Sequence, residues 1–147
     1  MAAAHRLTLK ENILALDATR DAGLLAACIM PDHVHWLLTL GTRLTIGQVV
    51  GKVKAAVRRT HPGLRWQDNF FEHRLRPQEP AESYAFYTFM NPYCAELCTI
   101  DEKWPGWIAS PKVRWKFEAL LRDGGLPHAE WIVKSRREAR TLAAGSD

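Results

Sequence analysis

The chain predicts an α+β fold in which helices pack on an antiparallel sheet, and three features carry that prediction. Two apolar runs, Leu24–Met30 and His33–Leu40, flank a Pro31-Asp32 turn and form an antiparallel hairpin. Thr45–Thr60 repeats Ile46, Val49, Val50, Val53 and Val57 at helical spacing, with its basic residues on other faces. Ala81–Cys98 is the longest helical stretch of the chain. Hairpin, helix, strand and helix in that order give a sheet with helices against it.

Each remaining element follows from local chemistry. Residues 11–21 form an amphipathic helix ending near Gly23. Gly41–Leu44 is a loop, and His61-Pro62-Gly63 stops the second helix. Trp66–Arg76 is a strand or irregular edge with Phe70, Phe71 and Leu75 for the core. Pro80 suits a first helical turn, Glu79 and Glu82 suit its dipole, and Pro92 kinks the helix. Trp104–Trp107 is a turn, Pro111–Arg122 a helix, and the remainder a basic tail fraying over Ala143–Asp147. Residues 1–110 make the main domain, and 111–147 are its helical, basic C-terminal extension.

At 147 residues the chain makes one domain, able to bury about two thirds of its unfolded surface. With 47% apolar and 24% charged residues it has the composition of a globular protein, which sets disorder aside. No run approaches the ~20 apolar residues of a membrane span, and no secretory stretch follows the N-terminus. A cytoplasmic protein without a membrane partner is expected. Cys28, Cys94 and Cys98 are odd in number and lie in apolar surroundings, as buried free thiols do.

The net charge of +4 is unevenly spread. Lys52, Lys54, Arg58 and Arg59 form one cluster; Lys134, Arg136, Arg137 and Arg140 form another. Such runs are commonly solvated helix faces. Two of them in a small domain favour a polyanionic partner, of which nucleic acid is the commonest.

The best clue to chemistry is His33-Val34-His35. On a strand both imidazoles project from one face and can share a divalent metal; on a helix at this spacing they cannot. The alternative is a chance surface pair. A metallo-β-lactamase-like site would continue with Asp and His shortly after His35, but Trp36–Leu40 offers no ligand. An amidohydrolase-like barrel needs about 250 residues. Any further ligand must come from elsewhere in the chain. In the long helix Tyr87 and Asn91 are four apart and share a face, so an Asn oxygen and a phenol could join the two imidazoles. The alternative is a core tyrosine with its hydroxyl at the rim.

In chain order, Met30-Pro31-Asp32 before His33-Val34-His35, then Trp66-Gln67 with Phe70 to Arg76, then Tyr87 with Asn91-Pro92, resemble the single-tyrosine HUH transposases. These form the insertion-sequence-200-like family, and the nearest branch is the REP-associated tyrosine transposases. The likeness spans roughly residues 11 to 108. It implies a ferredoxin-like antiparallel sheet, here lacking the usual first strand, because Arg6-Leu7-Thr8-Leu9 is a poor substitute. A clipped start or a gene remnant would explain that.

The resemblance assigns His33 and His35 to a divalent metal, Mg²⁺ or Mn²⁺, with Asn91 as third ligand and Tyr87 as nucleophile. It implies cleavage and rejoining of single-stranded or hairpin DNA through a 5′-phosphotyrosine. Lys52, Lys54, Arg58 and Arg59 would line the DNA path, with His73, Arg74 and Arg76 nearer the chemistry. Trp36 and Trp66 are candidates for base stacking or for core. Tyr84 competes with Tyr87 for the nucleophile role, and Tyr93 less so. Relatives include dimers that exchange helices, so a homodimer is an open expectation. Where this family favours Gly at the end of the helix, the chain has Glu96. A protein that binds DNA hairpins without turnover is the alternative function.

Overall fold

The computed structural model describes residues 3–65 and 78–144. The Trp66–Arg76 segment, with Trp66, Phe70, Phe71, His73, Arg74 and Arg76, lies outside the described residues.

The α+β class and the antiparallel sheet are as expected. The elements are α1 (Ala3–Thr19), β1 (Ala22–Ile29), β2 (Val34–Leu40), α2 (Ile46–Thr60), α3 (Ala81–Cys94), β3 (Trp107–Ala109) and α4 (Trp131–Ala144). Strand order is β2-β1-β3, with β1 antiparallel to both neighbours. Helix α1 begins eight residues before its predicted start because Leu9 continues the buried stripe of Ile13 and Leu16. Arg6–Leu9, weighed as a strand, is helical. Among the described residues no helix is long and apolar enough to cross a membrane.

A bulge in β1 sorts the core into two layers. The register shifts between Leu24 and Ala26, so Leu24, Ala27 and Ile29 point to one face while Ala26 points to the other. The backbone groups freed there are satisfied: Leu24 N–H donates to Asp17 Oδ1 (2.9 Å), and the Leu25 carbonyl accepts from the Trp115 indole (3.2 Å). One face packs on α1 and α2 through Leu9, Ile13, Val49, Val53 and Val57. The opposite face packs on α3 and α4 through Phe86, Phe89, Met90 and Trp131.

The second half of the chain departs most from expectation. Trp107–Ala109 is a third strand rather than the end of a turn. It is locked to β1 where Trp104 Nε1 donates to the Ile29 carbonyl (2.9 Å) and Gly106 O accepts from Ile29 N–H (2.8 Å). A Cβ at Gly106 would strike the Ile29 carbonyl, so only glycine allows this approach. The predicted Pro111–Arg122 helix shrinks to a 3₁₀ turn, Lys116–Leu120. Its first N–H groups, Lys116 and Phe117, donate to the Glu82 carboxylate of α3 (2.9 and 3.2 Å). The supposed tail is α4, docked by Trp131 edge-on to Phe86 and Phe117.

Helix α3 ends at Cys94, short of the predicted Cys98. Leu97 N–H donates to the Pro92 carbonyl (2.9 Å) and Glu96 N–H to that of Tyr93 (3.2 Å), which is the Schellman pattern of helix closure. Glu96 takes the left-handed conformation this pattern requires (φ 59°), a place that suits glycine.

Candidate active site

The turn at Pro31-Asp32 is closed by Met30 N–H donating to the His33 carbonyl (2.8 Å). It sets His33 just ahead of β2, and His35 follows as the second residue of the strand. Their Nε2 atoms stand 3.1 Å apart and their rings meet nearly at right angles. Asp32 Oδ1 lies 2.6 Å from His33 Nδ1. An ionised carboxylate only accepts, so His33 Nδ1 carries the proton of this bond, and the neutral ring leaves its Nε2 lone pair toward His35.

His35 is half-buried, and burial, then the neighbouring His33, push its pKa down to about 4. It is therefore neutral near pH 7, as a metal-binding imidazole must be. The pair has one proton to place. Either His35 Nε2–H donates to His33, or that proton sits on Nδ1 and both lone pairs face a shared cation.

Two nitrogens bonded at about 2.1 Å to one cation, at a right angle, stand about 3.0 Å apart. The observed spacing of 3.1 Å fits that requirement. Among the described residues no group of three or more His, Cys, Asp or Glu side chains could hold a metal ion. Any cation on this pair would need oxygen donors of another kind. Cys28 is directly opposite His35 in the sheet, but burial pushes its thiol up to about 12 and keeps it protonated.

Helix α3 lies over this end of the sheet and sets Tyr87 beside His35, ring centroids 5.9 Å apart. The three tyrosines differ sharply. Tyr84 donates to Glu79 Oε2 (3.0 Å), and burial with that carboxylate raises its pKa. Tyr93 is buried, donates to the Glu102 carbonyl (3.0 Å), and is pushed up to about 12 by desolvation. The Tyr87 hydroxyl makes no hydrogen bond among the described residues, and Tyr87 is the tyrosine packed against an imidazole. Asn91 follows one turn later on α3, half-buried, with no side-chain hydrogen bond to either imidazole among the described residues.

The basic residues of α2 are not brought to this site. Val49, Val53 and Val57 turn α2 onto the Trp36 face of β2, so Lys52, Arg58 and Arg59 are exposed across the sheet from His35, and Lys54 is half-buried there. Trp36 packs against that aliphatic core rather than facing the imidazoles. Asp32, which the sequence marks only as a turn residue, is the group the sequence reading missed. An acidic residue directly before a strand-initiating histidine was the available signal.

The family model described as "Transposase IS200 like" matches residues 2–76, a span that contains His33 and His35 and stops before Tyr87. No curated protein and no solved structure matches the chain. The matched span is half of the chain and holds the hairpin that carries the two imidazoles, so this protein belongs to the IS200-like transposase family.

Proposed function

We propose that this transposase nicks and rejoins single-stranded or hairpin DNA by a metal-dependent 5′-phosphotyrosine route, with Tyr87 as the nucleophile. The observation that carries the reading is the company of Tyr87: it packs on His35, while the other two tyrosine hydroxyls are engaged elsewhere. His33 and His35 would hold Mg²⁺ or Mn²⁺, with Asn91, one turn after Tyr87 on α3, as a further oxygen donor. When bound, the ion would offset the phosphodiester charge that repels a nucleophile.

The protein's own groups do the rest. Asp32 fixes the His33 tautomer, and burial keeps His35 neutral. Tyr87 Oη attacks phosphorus and loses its proton; the bond to the 3′ oxygen breaks, and that oxygen leaves as a hydroxyl after gaining a proton. The phosphotyrosine conserves the ester for rejoining. One chain supplies both the imidazole pair and the phenol, so the reading needs no exchanged helix from a second copy, and a homodimer is not required by it. Any DNA contact by Lys52, Lys54, Arg58 and Arg59 would lie across the sheet from the imidazoles, on backbone away from the phosphate that Tyr87 attacks.

The test is a covalent band shift in a denaturing gel after incubation with hairpin DNA and Mn²⁺. Wild type is expected to give the adduct and Tyr87→Phe to lose it completely while retaining DNA binding. An undiminished adduct in Tyr87→Phe refutes the assignment. Binding without any adduct in wild type would instead mark a hairpin-binding protein of the same fold.

A further inference from the structure

A cleft of about 220 Å³ lies between the C-terminal half of α3, the start of β3 and the turn that precedes α4. Phe89, Tyr93, Trp104, Trp107 and Leu121 line it, together with Gly125 and the exposed Lys103 at its solvent side. The polar atoms of two walls are already used. Trp104 Nε1 donates to the Ile29 carbonyl, and the Tyr93 hydroxyl donates to Glu102 O and accepts from Trp104 N–H. The half-buried rings of Trp104 and Trp107 are therefore the stacking surface the cleft offers, and the buried Phe89 and Tyr93 close it from behind.

The mouth is cationic. Lys103 is exposed and has no ion-pair partner among the described residues. The neighbouring Glu102 carboxylate is turned away onto Thr99 N–H and Oγ1 (3.1 and 3.0 Å). Gly125, at φ 119°, lets the Lys103 stem lie across it: a Cβ there would meet Lys103 Cε at 3.2 Å. The Lys103 ammonium repels a cationic guest that aromatic rings alone would accept, and a neutral hydrocarbon would leave the ammonium unmatched. A base attached to a phosphodiester answers both features.

Position ties the cleft to the proposed chemistry. Cys28 pairs with His35 on one side and with Trp107 on the other, so these three side chains share a sheet face. Two interstrand steps span about 10 Å. Helix α3 covers the same interval, with Tyr87 beside His35 and Phe89 edge-on to Trp107 at 5.1 Å.

We infer that this cleft receives one unpaired nucleobase of the DNA strand that passes Tyr87, with Lys103 on an adjoining phosphate. The inference rests on the reading of Tyr87 as the centre of a DNA-cleaving site. Because stacking rather than edge contact holds the base, the cleft tolerates more than one base type.

The test uses the intact chain and a mixed-sequence single-stranded oligonucleotide with 5-iodouracil in place of thymine. Irradiation is expected to crosslink the peptide carrying Trp104 and Trp107. An abasic residue at the crosslinked position is expected to weaken binding about 5- to 150-fold. Lys103→Ala should lower the crosslink yield and flatten the salt dependence of binding by about one phosphate contact. Crosslinks confined to other peptides, or no loss with the abasic strand, overturn the inference. A Tyr87 adduct without a cleft crosslink would do so while leaving the proposed cleavage intact. A cleft crosslink without any adduct would support the base site and refute the cleavage reading.

Discussion

The two faces of the sheet are built from different materials. The face toward α1 and α2 is sealed mainly by Leu, Ile and Val, with Trp36 packed beside them and Leu9, Ile13, Val49 and Val57 at most 1% exposed. The face toward α3 and α4 is aromatic, and its two edge strands carry His35, beside Tyr87, and Trp107, which lines the cleft with Trp104. Branched aliphatic chains fill space without polar atoms, so they make a face that only stabilises. Aromatic and imidazole rings bring polar edges and flat surfaces, so their face can also bind. The one sheet thereby divides stability from chemistry by side-chain alternation in β2: Val34, Trp36 and Leu38 turn one way, His35 and Leu37 the other.

Substitutions on each side test that division. The largest expected effect is Leu9→Ala on the aliphatic face, which should cost about 2–5 kcal/mol of unfolding free energy. Chemical denaturation would measure it, and the covalent DNA adduct per folded molecule should not change. A selective loss of adduct at full folding would break the division.

Next comes Asp32→Ala at the imidazole turn. Asp32 is 85% exposed on its side chain, so stability should hardly move. Mn²⁺ affinity is expected to fall about 10- to 100-fold, because the carboxylate that orients His33 is gone. Calorimetric titration gives the affinity. The ¹⁵N shifts of the His33 ring give the tautomer, which should lose its Nδ1–H preference even without metal. An unchanged tautomer would remove Asp32 from the site.

The smallest effect concerns the end of the helix that carries Tyr87. Glu96→Gly should raise stability by about 1 kcal/mol, since glycine occupies the left-handed conformation without a Cβ clash. Thermal or urea unfolding would register the gain, and a loss of stability would mean that the Glu96 side chain contributes more than its backbone costs.

Much of the site was legible in the sequence because it depends on short-range geometry. Strand alternation alone places His33 and His35 on one side, and four-residue spacing alone places Tyr87 and Asn91 on one helix face. The valine stripe of α2 and its Thr45 cap are equally local, since the capping box joins Thr45 and Gln48. Strand β3 was not legible: three residues carry too little periodicity, and their pairing depends on Gly106 meeting Ile29. Nor was the loss of the Pro111–Arg122 helix, because Glu82 on another element takes the N–H groups of its surviving turn. The 111–147 extension was expected to be helical, but its basic composition masks the docking of α4 through Trp131, Ile132 and the buried Ser135.

By itself, the sequence determined which residues could share a face: the imidazole pair on its strand, and the phenol with Asn91 on its helix. Only the tertiary structure decided which faces meet. It put α3 over His35 and α2 behind it, so the tyrosine joins the imidazoles while the basic residues of α2 do not. The reason is physical: backbone periodicity acts over a few residues, whereas the choice of packing partner is made by burial across the whole sheet.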